Sequence, residues 1–79
     1  METLVITVSG RLFLFEVKNL TAEQIESIEK FADTNFNHSS KIKNLDGEKI
    51  SELFQNELFS ALGITLKPIK IVSVIRINV

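Results

Sequence analysis

The stretch TLVITVSGRLFLFEVK, residues 3–18, decides how this chain begins to fold. From Thr3 to Val8 the residues Leu4, Ile6 and Val8 alternate with Thr3, Val5 and Thr7. That period of two sorts side chains onto opposite faces of a strand. Ser9 and Gly10 follow as a two-residue turn, where glycine tolerates the positive φ a tight hairpin demands. Arg11 to Lys18 returns as a second strand. With Val8 opposite Arg11, counting back sets Ile6 against Phe13 and Leu4 against Phe15, all on one face. That face is expected to be core.

Beyond the hairpin, the helices announce their own starts. Thr21 and Gln24 have the spacing of a capping box, and Leu20 can staple onto Ile25. Ile25, Ile28 and Ala32 then share a stripe, with Glu23, Glu26 and Lys30 opposite, and the helix is expected to fade near residues 33–35. Residues 36–46 read as a polar, mobile loop around Asn37, His38, Ser39 and Ser40. Asp46 is placed to cap a second helix, with Leu45 and Ile50 at staple spacing. Ile50, Leu53, Phe54, Leu58, Ala61 and Leu62 make a wide apolar arc, and Gly63 suits the position after the last turn. Ile64 is then expected against Phe59.

Pro68 is expected to end the connector, and residues 69–79 to form a third strand. Ile69, Ile71, Ile75, Ile77 and Val79 share its core face; Lys70, Val72, Val74, Arg76 and Asn78 share the other. The whole chain, 1–79, reads as a single small α+β domain of order β-β-α-α-β, a three-stranded sheet with two helices packed on one face. The third strand is the most apolar, and its expected place is beside the first.

Composition narrows the function classes. At 79 residues and 44% hydrophobic, the chain suits one globular domain with a thin core. It has six Phe and neither Trp, Tyr nor Cys. Without cysteine there is no disulfide, no thiolate metal site and no Cys nucleophile. A small secreted domain is usually stapled, so a reducing, cytoplasmic setting is the expectation. The opening residues lack a basic segment before an apolar one, so no signal peptide is read, and no apolar run approaches the ~20 residues that span a bilayer. The net charge of −1 exerts no overall pull on nucleic acid or on anionic membrane. Past Leu62, however, every charged residue is basic: Lys67, Lys70 and Arg76.

Catalytic and cofactor chemistry finds little support. His38 is the sole imidazole, in a loop beside Ser39 and Ser40, and no strand-turn-helix elbow carries a serine. Residues 44–48 faintly resemble a calcium loop, but the first acidic position is occupied by Ile42. Gly10, Gly47 and Gly63 are isolated, so no phosphate-binding loop is present. Glu57 falls inside the apolar arc of the second helix, where burial would raise its pKa; its long stem can equally reach water or a lysine. The chain is therefore read as a non-enzyme with no cofactor and no metal.

The second face of the sheet is the anomaly. Opposite the core face, Val5, Leu12 and Leu14 meet Val72 and Val74, ringed by Thr3, Thr7, Glu16, Lys70 and Arg76. A solvated face should be mainly polar. An apolar centre with a polar rim has the anatomy of an interface, although a helix crossing to that side would make it a second core. The run Leu4-Val5-Ile6-Thr7-Val8-Ser9-Gly10-Arg11-Leu12-Phe13, followed by Leu20-Thr21, resembles the opening hairpin of BTB/POZ domains, including the potassium-channel tetramerisation type. Those are protein-interaction and oligomerisation modules. The resemblance is confined to the hairpin, the remaining chain does not follow that family's helix-rich pattern, and no fold or site residue is carried over.

The expectation that follows is a protein-protein interaction module of adaptor or inhibitor type, binding itself as a homodimer or another protein. Val5, Leu12, Leu14, Val72 and Val74 form its contact surface, with Lys70 and Arg76 as rim charges. The alternative is a small nucleic-acid-binding protein using Lys41, Lys43, Lys49, Lys70 and Arg76. No membrane partner is expected.

Overall fold

The computed structural model describes residues 2–8, 10–37 and 39–73. Three antiparallel strands, β1 (Glu2–Val8), β2 (Arg11–Val17) and β3 (Lys67–Ser73), form one sheet. Two helices, α1 (Ala22–Ala32) and α2 (Gly47–Leu62), lie between β2 and β3 in the chain, giving the order β-β-α-α-β. The hairpin register is the one counted from the turn: Val8 pairs with Arg11, Ile6 with Phe13 and Leu4 with Phe15. Gly10 has φ +78°, the left-handed region that glycine enters without a Cβ penalty.

The strand order differs from the expectation. β3 pairs with β2, not with β1, so β2 is central and the order is β1-β2-β3. The side chains supply the reason. β2 is apolar on both faces over Leu12 to Phe15, whereas β1 carries Thr3 and Thr7 on its second face. The strand with two apolar faces gains most from neighbours on both flanks. Glu16 of β2 also meets Lys67 of β3, with Oε2 and Nζ 3.5 Å apart.

β3 itself starts earlier than its proline suggested. Pro68 lies within the strand, opposite Phe15, while Lys70 stands opposite Leu14. One step along β2 therefore matches two steps along β3, which leaves Ile69 as the extra residue of a β-bulge. Proline lacks the N–H of a regular ladder, and an edge strand with a bulge is where a sheet accommodates it. The bulge overturns one expectation: Ile69 is not on the core face and is 53% exposed, while Ile71, opposite Phe13, packs against the core. Residues 74–79 of the expected third strand lie outside the described residues.

Both helices cover the face of Leu4, Ile6, Val8, Phe13, Phe15 and Val17, and their buried side chains Ile28, Ala32, Ile50, Phe54 and Leu58 complete the core with Leu66. α1 begins with a complete capping box between Thr21 and Gln24. Asp46 caps α2 by accepting from the Lys49 N–H at 2.9 Å. Gly63, at φ +69°, closes it by donating to the Phe59 carbonyl. Ala61 and Leu62, expected in the core arc, are exposed, Leu62 by 42%. Phe59 is exposed as well, while Ile64 turns in to pack against the core.

The connector between the helices is not a loose polar loop. α1 runs on into a π-helical turn, Asp33–Asn37, and a short 3-10 turn follows at Ser40–Ile42. Phe36 and Ile42 are both buried. The stripe Ile28, Ala32 simply continues by four to Phe36. There Phe36 meets Phe54 edge-on at 5.2 Å between ring centroids, in a cluster that also holds Phe31 and Phe15.

Candidate protein interface

Because the helices occupy one side of the sheet, the other side faces outward. β1 contributes Thr3, Val5 and Thr7 to it. β2 contributes Glu16, Leu14 and Leu12, and β3 contributes Lys67, Lys70 and Val72. Val5, Leu14 and Lys70 line up across the three strands, as do Thr7, Leu12 and Val72. The apolar members form a contiguous centre. Val5 is 47% exposed, and Leu12, Leu14 and Val72 are half-buried. Thr3 and Thr7 border the patch on the β1 side, and the Glu16–Lys67 ion pair and Lys70 border one corner.

The structure thus brings together five of the seven residues singled out from the sequence: Val5, Leu12, Leu14, Lys70 and Val72. Val74 and Arg76 lie outside the described residues. So does His38.

Glu57 sits at the edge of the apolar arc rather than inside it. Its Oε1 is 2.7 Å from Lys41 Nζ, and its side chain is 34% exposed. The same lysine lies 4.7 Å above the centroid of the Phe36 ring. Lys41 is therefore engaged within the fold. Lys43 and Lys49 are exposed on the helical side, whereas Lys70 shares the opposite face of the sheet with Leu14. The cations named for nucleic-acid binding do not form one stripe among the described residues.

Asp46, one of the two acids in the faint calcium-like segment, is occupied as a helix cap. Among the described residues, no three of His, Asp and Glu converge to hold a metal ion, and no helix is long and apolar enough to cross a membrane. No family model, curated protein or solved structure matches this chain.

Proposed function

We propose that this chain is a non-enzymatic protein-protein interaction module whose contact surface is the open face of its sheet. The observation that supports this reading is the contiguous centre of Val5, Leu12, Leu14 and Val72 on a face that neither helix covers. Isolated apolar residues on a wet surface are common, but a patch spanning three strands with a polar rim is the kind that finds a partner.

Size sets the expected strength. Three strands of seven residues, at about 4.8 Å between strands and about 3.3 Å per residue, present roughly 300 Å² in projection. Stable complexes bury about 800 Å² per partner. A partner held by this face alone binds weakly, so self-association is expected in the micromolar range or above.

Light scattering across a concentration series, comparing the natural chain with Leu14→Glu, tests the surface. The expected result is reversible association that the variant abolishes while its far-ultraviolet circular dichroism stays unchanged. Unchanged association in Leu14→Glu overturns the assignment. A natural chain that stays monomeric throughout makes a different protein the partner, and affinity capture is then compared between natural and Leu14→Glu baits.

A further inference from the structure

The sheet's third strand carries a second, separate opportunity. β3 pairs on one side only, with β2, and among the described residues no strand lies along its outer edge. An edge of this kind presents unpaired backbone N–H and C=O groups. Pro68 and the bulge at Ile69 interrupt the regular ladder, so the pairable stretch begins at Lys70 and runs to Ser73.

Beside that edge runs a groove of about 880 Å³, walled by α2 and by Pro68 to Ile71. Ile69 and Ile71 supply apolar surface on the strand side. Ser51 and Gln55 line the helix side, where the Gln55 side-chain amide donates to the Ser51 carbonyl and hydroxyl oxygens. Gly47 closes one end. A Cβ there would stand 3.2 Å from Ile71 Cγ2, so the glycine lets the start of α2 approach the strand. A free strand edge flanked by a helix is the geometry in which an extended peptide adds as a further strand: main-chain bonds hold it and alternate side chains enter the groove.

Charge selects the occupant. Glu48 and Glu52 line the groove from α2, with Asp46 at its cap, and none of the three is in an ion pair among the described residues. Arg11, at the end by Gly47, and Lys70, on the strand, line the same groove away from the helix wall. The helix wall is therefore acidic, and no cation is in direct ion contact with its carboxylates among the described residues.

We propose that the β3–α2 groove takes an extended, basic peptide segment of another protein, added as a fourth strand along Lys70 to Ser73. Its groove-facing side chains are basic and meet Glu48 and Glu52, while the alternate apolar side chains lie on the other side of the added strand, the side that carries Val72. This surface is distinct from the open face, so its failure leaves the reading of that face standing.

The test is a titration of the whole chain, followed by amide nuclear magnetic resonance, with a capped heptapeptide of alternating valine and lysine. Two control peptides accompany it: one of alternating valine and glutamate, and the lysine peptide N-methylated at alternate backbone amides. The expected result is saturable shifts at the amides of Lys70, Ile71 and Val72, with slowed exchange only at those whose N–H points away from β2. The lysine peptide should bind about five-fold tighter than the glutamate peptide. That preference should disappear in the exposed double variant Glu48→Gln with Glu52→Gln, and N-methylation should abolish binding. Four outcomes overturn the proposal: no shift up to about 1 mM peptide, equal binding of the N-methylated peptide, binding indifferent to peptide charge, or shifts centred on Val5, Leu12 and Leu14.

Discussion

Lys41 Nζ lies 2.7 Å from Glu57 Oε1, across sixteen residues of chain, and clamps the 3-10 turn onto α2. Both side chains remain more than a third exposed, so water screens the pair and its worth is that of a surface ion pair. A double-mutant cycle of Lys41→Met and Glu57→Gln, read by urea unfolding, should give a coupling of about 0.5–1 kcal/mol. The coupling should shrink in added salt. A coupling near zero at low salt would show that the turn is held by Phe36 and Ile42 alone.

Phe36 should matter far more than its place in a Ser/Asn-rich connector suggests. It is fully buried against Phe54 and Phe31. Phe36→Ala should cost about 3–5 kcal/mol, a large part of the stability of so small a domain. Phe59→Ala, at a position 60% exposed, should change stability by less than about 1 kcal/mol. Thermal unfolding of the two variants side by side checks the contrast.

Asn19 holds φ +55° between β2 and α1, the left-handed region that asparagine tolerates better than most residues. Asn19→Gly should stay within about 0.5 kcal/mol of the natural chain, and Asn19→Val should lose about 1–2 kcal/mol. Denaturant midpoints distinguish the two. Equal losses for both variants would assign the cost to the side chain rather than to the backbone angle.

Pro68 interrupts an otherwise exposed edge. Pro68→Val restores a backbone donor and should leave stability within about 1 kcal/mol while increasing association through β3. Light scattering of the variant at matched concentration is the measurement. No increase would mean that the bulge at Ile69 blocks the edge by itself.

Much of this was legible in the chain before any coordinates. Alternation of Leu4, Ile6 and Val8 against Val5 and Thr7, with a Ser-Gly pair at the turn, sets the hairpin and its register because the period of two is local. The Thr21–Gln24 box, the Asp46 cap and Gly63 mark helix ends for the same reason: each is a hydrogen bond or a φ angle settled within a few residues. The connector was legible only in part. The stripe Ile25, Ile28, Ala32 points four residues on to Phe36, but a run of polar neighbours hides it.

What remained undecided was relational. Whether β3 lies beside β1 or β2 depends on which strand gains more from two neighbours, and that compares residues far apart in the chain. The bulge that expels Ile69 arises from matching β3 to β2, and neither strand's own pattern contains it. Sequence by itself determined the elements, their caps and the apolar second face, since periodicity and capping act locally. The sequence also pointed to both helices on one face; only the tertiary structure decided that β2 is central, so that Val5, Leu12, Leu14 and Val72 stand side by side across three strands, because strand order depends on how all the layers pack.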